Sequence, residues 1–296
     1  MKRWLLLIAF VSIVAGPSAM SGQTPESEYT IRPGDSLSEL ANRVYGDSRA
    51  WSAIMLGTNG RIATHGNLEF IMDPNWIQPR QHVWIPNLEE KDALVERFDK
   101  YVRAVQDMSR PQPWEVASDL VTISRDSTTV TMVSWVRNDQ SASVDTSKRA
   151  TGDIWVTRVP YLQEFCRRLE SATEEDLTLR LEQRLGLPPK SNKTDFVLLS
   201  VASSDLFRPC SDPSVYESNC RLGMPEDNDS KFRDWFLSQY YGSYARAQPT
   251  RFPWTSLGYT YDWGSPESEV GESEFIIPRG ASIRVQARIS TTDYCK

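Results

Sequence analysis

Four cysteines, Cys166, Cys210, Cys220 and Cys295, fall in the second half of a chain whose first residues read as an export leader. This combination constrains the fold most. Lys2 and Arg3 precede the apolar stretch from Trp4 to Ala15, and Ala19-Met20-Ser21 offers small residues to a signal peptidase, so residues 1–21 read as a signal peptide. The stretch is short for a bilayer span, which leaves an uncleaved anchor as the second reading. Nothing after Ser21 reads as a membrane span, so the mature chain is expected to be secreted or periplasmic, without a stable membrane anchor. An oxidising compartment lets the cysteines pair, in any of three connectivities. Cys210 and Cys220 enclose the turn-forming Asp212, Pro213, Ser214 and Asn219, which favours that bridge and leaves Cys166 with Cys295 to tie the last residues to an internal helix. The competing roles for these thiols lack partners. No histidine follows residue 82 to activate a nucleophilic cysteine, and no CxxC pair suggests zinc, so no metal is expected.

Ahead of the cysteines lies a short patterned segment. Tyr29 to Arg32 forms an extended run that Pro33-Gly34 stops; Asp35 or Ser36 can cap a helix, with Glu39 in its first turn. Leu37, Leu40, Ala41 and Val44 recur at helical spacing until Gly46. Trp51, Ile54, Met55 and Leu56 make a second amphipathic helix, and His82-Val83-Trp84-Ile85 makes a strand closed by Pro86. The expected order is strand, helix, helix, strand.

Residues 29–86 resemble a LysM domain. The Tyr-Thr-Ile-Arg-Pro-Gly-Asp-Ser-Leu opening, the Leu-Ala-Asn-Arg-Val-Tyr-Gly-Asp continuation, Trp51, Asn59 and the Ile-x-Pro-x-Gln-x-Val-x-Ile-Pro ending carry the likeness. It implies binding of glycans that contain N-acetylglucosamine, peptidoglycan or chitin, in a shallow groove between two loops. Carried over by position, Gly34, Asp35, Ser36 and Leu37 line one side and Ile77, Gln78 and Pro79 the other, with Leu37 and Ile77 against the acetamido methyl. Two departures stand out: Arg80 occupies a position where the family usually has glycine, and residues 60–74 form an extended loop with His65, Phe70 and Met72.

Residues 88–150 read as a connector: an amphipathic helix with Leu94, Val95, Phe98, Val102 and Val105 on one face, a break at Arg110 to Pro113, a hairpin from Leu120 to Val136, and a polar linker to Thr151. Residues 153–296 then read as an α+β domain. A strand at 154–159 and helices at 160–169 and 174–185 precede a buried apolar strand at 196–203. A helix at 232–244, an aromatic extended stretch at 252–263, and two strands joined by Pro278-Arg279-Gly280 complete it. The fold class is therefore α+β, a small βααβ unit followed by a larger disulfide-containing one.

The absence of histidine after residue 82 removes Ser-His-Asp and Cys-His chemistry from this second unit. Glu272 and Glu274, two apart on a strand, share a face and can enter one cleft. Their stretch resembles the Glu-x-Glu strand and Pro-x-Gly turn of ADP-ribosyltransferases of the arginine-serine-glutamate type. That likeness implies NAD as cofactor, Glu274 on the nicotinamide ribose, Glu272 on the acceptor and Arg158 on the phosphates; the family's Ser-Thr-Ser strand is missing. A second enzymatic reading, cell-wall glycan hydrolysis, would pair Asp262 with Glu272 or Glu274. With neither, the chain is a binding protein that needs no cofactor.

The charge bears on the partner. With 33 Lys and Arg against 39 Asp and Glu, the net charge is −6, and losing Lys2 and Arg3 with the leader makes it −8. An acidic chain without a basic face makes nucleic acid an unexpected partner and makes attraction to an anionic wall a poor targeting device. Cell-wall association is therefore expected to come from groove contacts to neutral sugars.

Overall fold

The computed structural model describes residues 26–112, 114–138, 144–170, 173–225, 230–244 and 251–296. The expected signal peptide, Pro113 and part of the polar linker lie outside them. Among the described residues no helix is long and apolar enough to cross a membrane. The architecture is mixed helix and sheet with two disulfides, Cys166–Cys295 and Cys210–Cys220, the pairing expected from the sequence.

The N-terminal unit is built from β1 (Ser27–Thr30), α1 (Leu37–Tyr45), α2 (Trp51–Asn59) and β2 (His82–Ile85), with β1 and β2 antiparallel. Local chemistry explains the helix ends. The Ser36 hydroxyl accepts the Glu39 N–H, and Gly46, at φ 73°, closes α1 by donating to the Asn42 carbonyl. Arg80 adopts φ 76° and donates its N–H to Ile31. The glycine conformation is kept at this departure, with a side chain in its place.

Next come α3 (Leu88–Met108), β3 (Val116–Ala117), β4 (Thr129–Val136), β5 (Ser147–Arg149), β6 (Ile154–Arg158), α4 (Tyr161–Arg167), α5 (Glu174–Arg184), β7 (Asp195–Ala202) and β8 (Cys220–Arg221). The chain ends with α6 (Ser230–Tyr244), β9 (Tyr259–Tyr261), β10 (Val270–Ile277), β11 (Ser282–Ser290) and α7 (Thr291–Tyr294). One antiparallel sheet of seven strands, in the order β5-β11-β7-β4-β6-β10-β9, organises this part. One face buries Met132, Val156, Leu199, Phe275, Ile283 and Val285; the other packs Val133, Trp135 and Phe196 under Leu162, Leu181 and Tyr294 from the helices. Strand β7 sits between β11 and β4 and is covered on both faces, which is why residues 196–202 read as an almost unbroken apolar run.

Four expectations are corrected. The connector is not a separate piece: β4 is the middle strand of the sheet, and residues 147–149 of the supposed linker pair with β11. Its hairpin does not form, because β4 finds partners in β6 and β7, whereas Leu120 and Ile123 bond to the 215–218 loop. The expected face of α3 packs on the core, with Leu94, Phe98, Tyr101, Ala104 and Met108 buried and Val95, Val102 and Val105 partly buried beside them, and the Tyr101 ring meets Trp263 edge-on. That contact also joins the two expected domains, since the core of the N-terminal unit runs through α3 to Trp263.

The fourth concerns β10 and β11, which follow one another in sequence but do not pair. Strands β6, β4 and β7 lie between them. At about 4.8 Å per strand, four spacings make about 19 Å, more than even a fully extended 278–281 connection could span over a flat sheet. Instead it bends, with Ala281 accepting from the Ala150 N–H and Gly280 donating to the Ala150 carbonyl, so the sheet must curl. The link from β5 to β6 crosses at the same end.

Candidate functional site

The loops after β1 and before β2 lie at one end of the two-stranded ladder. Ile31 donates to Gln81, and Arg80 donates back to Ile31, so residues 32–36 and 77–80 stand side by side. Gly34, Gln78 and Pro79 are exposed, and Ile77 is half-buried against the core. The remaining expected groove residues are occupied internally. Asp35 accepts from the Arg32 N–H, the Tyr29 hydroxyl and Arg43; the Arg32 amide above all holds its carboxyl below the usual range. Ser36 is the α1 cap. Leu37 is 2 % exposed and belongs to the core, so it cannot meet an acetamido methyl as expected. The pattern that marks Leu37 as a groove residue is equally the helical pattern that buries it.

Just after the extended loop stands a residue that the motif does not single out. Trp76 is 76 % exposed, directly before Ile77, on a turn closed by its own N–H to Asp73; Met72 nearby is 65 % exposed. The loop itself is anchored, because the Asn59 side chain bonds both the N–H and carbonyl of Ile71. His65 packs on Trp84. A bare tryptophan on an anchored loop was the available signal.

In the sheet, Arg158 and Glu274, expected to act together on NAD, are divided. The register sets Glu274 opposite Thr157, and Thr157 opposite Val133, so these three side chains share a face. Arg158, one residue on, points to the opposite face, where it donates to the Thr122 carbonyl. Tyr259, opposite Ser273, also lies on that face, buried against Leu120 and Cys210. Arg158 and Glu274 therefore do not converge on one ligand.

Glu272 does share its face with Glu274, but it is 5 % exposed and bound by the Arg184 Nε at 2.8 Å. One turn earlier on α5, Arg180 grips both oxygens of Asp262 at 2.8 and 2.7 Å, and the Gly264 and Ser265 amides bond Asp262 Oδ1. Two acids expected to serve as a hydrolytic pair are thus neutralised by two arginines spaced i, i+4, a structural clamp between α5 and the β9–β10 edge. Gly271 permits this approach: a Cβ there would lie 2.1 Å from the Thr260 hydroxyl and 2.4 Å from the Arg184 carbonyl.

Glu274 is different. Protein encloses it except on the side facing a cleft of about 710 Å³, bounded by α6, the 252–254 segment, the α5 end and the sheet. Among the described residues no donor or cation meets its carboxyl, and burial alone pushes it up to about 8. Near neutral pH it is a protonated acid. Among the described residues no cluster of His, Cys, Asp and Glu is arranged to hold a metal ion. No protein-family model matches the chain, and comparison with curated proteins and with solved structures gave no match.

Proposed function

We propose that this is an exported protein that binds N-acetylglucosamine-containing glycan, peptidoglycan first, through a LysM-like unit at residues 29–86, and so holds its disulfide-closed sheet at the cell wall. One observation carries the reading: the loops at 32–36 and 77–80 run side by side, offering backbone polar groups and the exposed Gly34, Gln78 and Pro79 beside Trp76. Such a surface suits a neutral sugar, which is held by hydrogen bonds and stacking and not by charge. Two disulfides, stable in an oxidising compartment, agree with export.

The test is co-sedimentation of the whole chain with purified peptidoglycan, with chitin as a second acetamido polymer and cellulose as a polymer lacking the acetamido group. Retention on the first two and not on cellulose is expected, weakened about fivefold by Gln78→Ala with Pro79→Ala, equivalent to about 1 kcal/mol. Absence of retention, or equal retention on cellulose, refutes it.

A further inference from the structure

We propose that the cleft beside Glu274 is a second ligand site, separate from the glycan surface, that takes an uncharged, largely apolar small molecule with a carbonyl-type oxygen, to which the Glu274 carboxyl donates a hydrogen bond. The inference does not depend on glycan binding.

Three observations carry it. The cleft is large enough for a small organic molecule, and its walls are mainly apolar, including Val133, Leu162, Leu187, Phe252 and Trp254. Polar side chains stand beside those walls, Ser134, Thr157, Gln239, Ser243, Thr260 and Tyr261 among them, and Glu274 has no protein partner among the described residues. A carboxyl that opens to a cleft and has no protein partner keeps its hydrogen-bonding capacity for whatever enters the cleft.

The charges facing Glu274 select the ligand's class. Tyr244 on α6 lies close enough for mutual repulsion if both ionise, and its hydroxyl donates to the Trp254 carbonyl. Tyr261 on β9 gives its hydroxyl to Asp107. Asp153, before β6, accepts from the Trp235 indole and the Arg279 amide. Lys148 on β5 and Lys193 before β7 also line the cleft. An ammonium ligand would have to expel the Glu274 proton. A neutral acceptor keeps the proton where burial already holds it.

The experiment titrates the whole chain by calorimetry with acetanilide, an aryl amide with a carbonyl acceptor, and with phenethylammonium as the cationic probe of similar size. Acetanilide should bind in the millimolar range or tighter, with constant affinity below neutral pH and a weakening of about thirtyfold by about pH 9.5, as the carboxyl ionises. Glu274→Gln keeps an N–H donor and should bind acetanilide without the alkaline weakening. Glu274→Leu should remain folded, checked by its circular dichroism, and lose the binding at least tenfold. Failure of acetanilide to bind, stronger binding of phenethylammonium, affinity that rises above about pH 8, or wild-type affinity in Glu274→Leu would each overturn the proposal. Glycan retention, measured alongside, should be unaffected in both variants, so the two readings fail independently.

Discussion

Replacing Glu274 by leucine should remove part of the protein's loss of stability in alkali. The carboxyl moves from an ordinary value of 4.5 to about 8 on folding, through burial alone. The native state therefore holds this proton more tightly than the unfolded chain. The sign follows: the contribution is fully present below pH 4.5, is lost as pH rises towards 8, and is level beyond that. At about 1.36 kcal/mol per pKa unit the full displacement is worth roughly 5 kcal/mol, of which about 4 kcal/mol falls between pH 5 and pH 9. Urea unfolding of both proteins near pH 5 and near pH 9, disulfides intact, measures it. The stability difference between Glu274→Leu and wild type should move in favour of the variant by that amount across the range. Glu182 also titrates upward, to about 7 through burial, but it is present in both proteins and cancels. Parallel curves at the two pH values would refute the reasoning.

Other consequences follow from the same contacts. Arg184→Met leaves Glu272 buried without its cation and should lower stability by about 3 kcal/mol in urea, with part recovered in Arg184→Met/Glu272→Gln. Leu37→Ala should cost about 3 kcal/mol by denaturant unfolding, and glycan retention of the folded fraction should be unchanged, because the residue is core and not groove. Cys166 and Cys295 close a loop with a sequence separation of 129, and Cys210 and Cys220 one of 10. Loop entropy therefore assigns about 5 kcal/mol to the first bridge and about 2.7 kcal/mol to the second, so Cys166→Ser/Cys295→Ser should lower the melting temperature more than Cys210→Ser/Cys220→Ser. Trp76→Ala should weaken retention on peptidoglycan several-fold without changing the melting temperature, since the ring is exposed; an unchanged retention would separate it from the glycan surface.

Local signals carried well where one element's own chemistry decides. Ser36 and Gly46 bound α1, the 174–185 pattern gives α5, and the apolar run at 196–203 gives β7, each because capping groups and side-chain periodicity act within a few residues. The disulfide pairing was legible because a turn-rich excursion separates two of the four cysteines. The sheet order was not legible. Nothing in residues 270–290 tells that β10 and β11 sit three strands apart, since each alternates as a hairpin strand would; the decision lies in the Gly280–Ala150 bonds and in the curl they require.

The carboxylates show the same division most plainly. Spacing alone determined that Glu272 and Glu274 share a face, because side chains alternate along a strand. Only the tertiary structure decided their different fates: α5 brings Arg184 to Glu272 from 88 residues away, and among the described residues no element brings a partner to Glu274. Ionisation depends on which charges and how much water surround a group, and those surroundings come from segments distant in sequence. The chain's order therefore wrote the elements, and the packing wrote the chemistry.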